Sequence, residues 1–146
     1  MKRIFLLFAL AASVATAQLS RELGNMLPIN RNSDGGINYG FTSVLVSYDL
    51  LQLGDAYTTY LAFERAKRNG YEVTEANPLF RAVLERGDYG TFFAAKGGVM
   101  LVGNYLLNKF YNSGQRTEAY VTAILLNAAF GAIAYRNYQV AVRVGL

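Results

Sequence analysis

A chain of 146 residues is long enough for one domain, and 53% of it is apolar against 16% charged, with a mean hydropathy of +0.17. It contains no Cys, His or Trp. Imidazole bases, His-ligated zinc, thiol nucleophiles, disulfides and Cys-linked lipid anchors are therefore excluded.

Residues 1–17 have the three parts of a secretory signal: Lys2 and Arg3, an apolar run from Ile4 to Val14, then the small residues Ala15 and Ala17. Cleavage after Ala17 is expected, because the run falls short of the roughly 20 apolar residues that cross a bilayer. The signal also carries away two of the basic residues behind the formal charge of +4. The rest are scattered among acids, which argues against a nucleic-acid partner.

Residues 18–40 are polar, with Pro28, Asp34-Gly35-Gly36 and Gly40, and read as an extracytoplasmic lead-in with turns. The glycines are not followed by the Lys-Ser/Thr of a phosphate loop. A hydrophobic helix then runs from Phe41 to about Ala66. Its Tyr48, Gln52, Asp55 and Thr59 are spaced by four, three and four residues, which gathers them into one stripe while Leu50, Leu53, Tyr57 and Leu61 face elsewhere.

In the loop that follows, Asn77-Pro78 marks a helix start, since Asn accepts from a first-turn N–H and Pro lacks the N–H that would be wasted there. Glu75 lies just outside, where its charge favours the positive end of the helix dipole. From Pro78 to about Arg86, Leu79, Phe80, Val83 and Leu84 form the apolar side of a short amphipathic helix suited to a membrane surface.

Two further spans are predicted, from about Thr91 to Leu107 and from about Glu118 to Tyr135. Lys96, Met100, Gly103 and Leu107 share a face of the first, with Asn104 at its edge. Ala94-x-x-x-Gly98 and Ala128-x-x-x-Ala132 offer small surfaces for close helix packing. The membrane domain is thus placed at residues 41–138. The alternating tail at 139–146 is expected to be extended or frayed.

Charge sets an orientation. With the mature N-terminus outside, three spans put Arg65, Lys67, Arg68, Arg81, Arg86, Arg136 and Arg143 in the cytoplasm, against Arg21, Arg31, Lys109 and Arg116 outside. A charge near the bilayer centre costs about 2.5–3.5 kcal/mol on insertion scales, so Asp49, Asp55 and Lys96 need partners or water. Asp55 lies about 16 Å from the cytoplasmic end of its helix and Lys96 about 7 Å from the same side, at roughly 1.5 Å per residue. The Lys stem can bridge most of that difference, whereas Asp49 is expected to reach outer-leaflet water.

The ordered set Asp55-x-x-x-Thr59, Glu75-x-Asn77-Pro78 and Lys96, with a closing Asn137-Tyr138, resembles a family of small bacterial multi-span membrane proteins grouped as domain of unknown function 5658. The similarity covers roughly residues 45–138. It implies a multi-helix membrane protein and brings no activity, substrate or cofactor with it.

The sequence therefore predicts an all-α integral membrane helical bundle with about three transmembrane helices and a short surface helix, in the bacterial cytoplasmic membrane. Its expected partners are the bilayer and a second copy or another membrane protein. Asp55, Thr59, Glu75, Asn77 and Lys96 are expected to form an internal polar network, with Glu75 reaching toward Lys96, no metal or cofactor, and a structural or interaction role rather than an enzymatic one. The competing readings are proton or ion translocation through Asp55 and Glu75, a membrane enzyme using those carboxylates on a divalent cation, and a soluble secreted helical domain.

Overall fold

The computed structural model describes residues 18–75 and 77–145, so the predicted signal and its cleavage site lie outside the described residues. Four helices follow one another: α1 (Tyr39–Asn69), α2 (Pro78–Glu85), α3 (Tyr89–Asn112) and α4 (Arg116–Arg143). Residues 18–25 are also helical. All-α architecture is thus observed, with three long helices where three spans are predicted.

The helix ends follow local chemistry. Asn38 opens α1 by accepting from the Phe41 N–H, and Gly70, at φ 72°, closes it with a left-handed residue that a side chain would strain. Asp88 opens α3 by accepting from the Thr91 N–H at 3.0 Å. Hydrogen bonding from the Thr91 side chain, and after it from the Thr91 backbone N–H, holds the Asp88 carboxyl below its ordinary range. A depressed folded-state value means the cap stabilises above the usual carboxylate range and is lost as pH falls through the folded value. Asp88→Asn should keep the cap yet flatten the acid side of the stability profile, which melts between pH 3 and 7 would read. An unchanged acid limb would contradict the assignment.

α1 and α4 run parallel and share the most extensive contact, and α3 runs antiparallel to both. Near the starts of α1 and α4, the Phe41 and Tyr120 rings meet edge to face at 4.9 Å. At their far ends Arg65 Nη1 donates to the Ala141 carbonyl and Asn69 Nδ2 to the Val144 carbonyl. Residues 139–143 therefore continue α4 rather than forming the expected extended tail. A lone alternating segment has no strand to pair with, while the helix gains contact along α1.

Two apolar clusters sit at opposite ends. One joins Phe41, Leu45, Leu107, Ala119 and Ala123, the other Ala56, Leu84 and Phe92. The lead-in is more ordered than a string of turns, because it folds back through an Arg31–Ile37 bridge and buries Asn30 against α3. The small residues Ala94, Gly98, Ala128 and Ala132 all face outward and do not make the predicted packing surfaces. Close approach occurs instead at Gly103, where an added Cβ would overlap the Tyr48 hydroxyl and lie 2.8 Å from its Cζ.

Among the described residues, α4 is the one helix long and apolar enough to cross a membrane by length and composition. α1 and α3 miss that measure, and each carries charged and amide residues along its inward face.

Candidate functional site

The α1 stripe points inward as its spacing predicts. Tyr48, Gln52, Asp55 and Thr59 are all buried, while Leu50, Leu53 and Tyr57 on the opposite side are exposed. Residues four apart on a helix share a face, so Asp55 and Thr59 present their oxygens together toward α3 and α4.

Asp55 is the hub. One carboxylate oxygen accepts from Lys96 Nζ of α3 at 2.5 Å, and the other accepts from Asn137 Nδ2 of α4 at 2.8 Å. Asn137 Nδ2 also donates to Thr59 Oγ1 at 2.9 Å, so one amide ties two α1 side chains to α4. The ammonium of Lys96 stands 4.8 Å from the Phe80 ring centroid and 5.8 Å from that of Phe92, close enough for cation–π attraction. Asp55 is only 2% exposed, and its charge is met by a cation and an amide on two different helices.

Glu75 and Asn77 line the same cavity of about 520 Å³ as Asp55, Thr59 and Lys96, but they are held differently. The Glu75 carboxylate accepts from the Asn77 backbone N–H at 2.9 Å. Its carbonyl accepts from Arg81 Nε, and the Asn77 carbonyl accepts from the Phe80 and Arg81 N–H groups. Glu75 thus fastens the entry to α2, and no Glu75–Lys96 ion pair occurs among the described residues, contrary to the expected reach. The turn places its carboxylate two residues from the Asn77 backbone N–H, a donor reached without crossing the cavity.

Two further storeys of polar contact were missing from the sequence reading. Asp49 does not reach out to water: it is 9% exposed and accepts twice from Asn104 Nδ2, at 2.9 and 3.1 Å. Nearer the start of α1, Asn30 Nδ2 donates to Asn108 Oδ1 at 2.9 Å, and Asn108 Nδ2 donates to the Asn25 and Leu27 carbonyls. The signal that could have revealed them is the four-residue spacing of Asn104 and Asn108, which puts two amides on one side of α3 at the edge of the Lys96 face. Asn137 had been visible only as half of a closing Asn-Tyr pair, because the third helix was expected to end at Tyr135.

Not every polar atom along this axis is matched. Gln52 Nε2 donates to the Tyr48 hydroxyl, whereas Gln52 Oε1 and Asn104 Oδ1 are buried without a hydrogen-bond partner. Chemically, the axis can hold charge out of bulk water and lock helix register. Among the described residues no three Asp or Glu side chains converge in a way that could hold a metal ion.

Fold and site together define a helical bundle with a polar interior. No family model matches the chain, and neither does any curated protein or solved structure.

Proposed function

We propose that this chain is an integral protein of the bacterial cytoplasmic membrane, with α1, α3 and α4 as spans, that acts as a structural or interaction component. It would be kin to the domain-of-unknown-function family that its motifs resemble. The observation that carries the reading is an inverted polarity. Leu50 and Leu125 are each 64% exposed, in company with Leu53, Val102, Leu106 and Ile124, while Asp55, Gln52, Asn104 and Asn108 are buried. In water that arrangement loses on both counts, since apolar area stays wet and polar groups are desolvated. In lipid the exposed side chains meet hydrocarbon, and each of these polar side chains makes at least one hydrogen bond in the bundle interior.

The Asp55–Lys96–Asn137–Thr59 network then serves as an interhelix lock, because a polar contact inside a bilayer fixes register even where its net stabilisation is small. The orientation follows the basic residues: the ends of α1 and α4, with Arg65, Lys67, Arg68 and Arg143, face the cytoplasm, and the lead-in faces out. Partners on this reading are the bilayer and a second copy or another membrane protein.

A second reading, proton movement through Asp55 and Glu75, is favoured by one observation. Asp55 and Glu75 line a single cavity, which Gln52 lines as well.

Carbonate extraction tests the membrane reading. The protein is expected to stay in the pellet, and a cysteine introduced at Asn69 should resist an impermeant reagent in intact cells. Release into the supernatant would favour a soluble helical domain, and labelling at position 69 would reverse the orientation.

A further inference from the structure

At the end of the bundle opposite the Asp55 cavity, three arginines from separate segments line one cavity of about 640 Å³: Arg21 of the 18–25 helix, Arg31 of the following turn and Arg116 at the start of α4. Among the described residues, no Asp or Glu lines it and none of the three is in an ion pair. Asp34 is turned onto its own loop, accepting from the Gly36 N–H at 2.9 Å, and Glu22 lines the adjoining cavity with Arg21 and Lys109.

Two of the guanidinium groups are held in place without being neutralised. Arg31 Nη1 donates to the Gly35 carbonyl at 3.1 Å, which leaves its other N–H donors available, and the Arg116 guanidinium lies 5.4 Å from the Tyr111 ring centroid. Gln115 supplies no side-chain cap to α4, and Glu118, the acid of its first turn, does not line the cavity. Water screens the repulsion among three exposed guanidinium groups, and an anion bound in the cavity would be attracted to all three.

We infer that this cavity binds a phosphate group. Planar guanidinium forks match the several oxygens of a tetrahedral phosphate, where a lysine would offer only a point charge. The group could belong to free phosphate or to an anionic lipid headgroup, which offer the same oxygens. The inference does not rest on the membrane reading, since the three arginines line the cavity whatever surrounds the helices.

The test uses the full chain purified in zwitterionic detergent. Inorganic phosphate is titrated calorimetrically at fixed ionic strength, and phosphatidylglycerol is added to the micelles in a parallel thermal-shift series. Arg21→Gln, Arg31→Gln and Arg116→Gln should each weaken binding about tenfold, the loss expected for one charge-assisted hydrogen bond. Arg116→Lys should fall between, and Arg143→Gln at the other end should bind as the parent does. Saturable phosphate binding assigns a free anion, and a shift with phosphatidylglycerol alone assigns a headgroup. The three single variants substitute exposed side chains, so they decide the matter even if the triple variant does not fold. No response to either probe, or binding unchanged in all three single variants, overturns the inference.

Discussion

Lys96→Ala should lower stability by about 3–5 kcal/mol, the usual cost of breaking a buried ion pair by removing one partner. Asp55 is 2% exposed and keeps only the Asn137 amide once the ammonium is gone, so its charge is left in a poor solvent. The aromatic pocket of Phe80 and Phe92 also loses the cation it surrounds. Lys109→Ala should be far milder, because Lys109 is exposed and its partner is the Tyr105 hydroxyl. The double variant Asp55→Asn with Lys96→Met should recover part of the loss, since removing both charges costs less than stranding one. Thermal unfolding of the parent, Asp55→Asn, Lys96→Met and the double variant gives the coupling directly. Strictly additive losses would sink the lock. Variants that stay stable but lose proton flux in vesicles would shift the reading toward translocation.

Gly103→Ala should cost about 1–3 kcal/mol through overpacking, and Gly103→Val more. A Cβ at this position would overlap the Tyr48 hydroxyl and sit 2.8 Å from Tyr48 Cζ. Tyr48 cannot easily move aside: its hydroxyl accepts from Gln52 Nε2, and its ring packs edge to face on Phe130 at 5.7 Å. Forcing it out would open the α1–α3 seam next to the Asp49–Asn104 contact. Tyr48→Leu in the Gly103→Ala background should restore part of the stability by vacating the space. Gly98→Ala supplies the contrast, because nothing lies within 4 Å of the Cβ it would add. Helix propensity favours Ala over Gly at both positions, so Gly98→Ala should be neutral or stabilising, and an equal effect at 98 and 103 would show that the tyrosine sets no cost.

The sequence by itself determined the helices and the inward stripe, because both depend on neighbours three and four residues apart. Tyr48, Gln52, Asp55 and Thr59 fall on one side of α1 whatever packs against them, and a charge as deep as Asp55 has few partners other than a cation on the next helix. The Asp55–Lys96 pair was legible for that reason. Glu75 was misjudged because a turn offered its carboxylate a backbone N–H two residues away, a choice that depends on the path of the chain and not on charge. Asp49 was misjudged because its exposure depends on what faces it, and Asn104 comes from a helix running the other way. The same holds for Asn137: its amide reaches Asp55 and Thr59 only because α4 lies parallel to α1 and continues past the point where its apolar pattern fades. Side-chain periodicity is a local property, whereas pairing across helices, the close approach at Gly103 and the placing of Arg21, Arg31 and Arg116 around one cavity are set by how the segments lie against one another. Those features the tertiary structure alone decided.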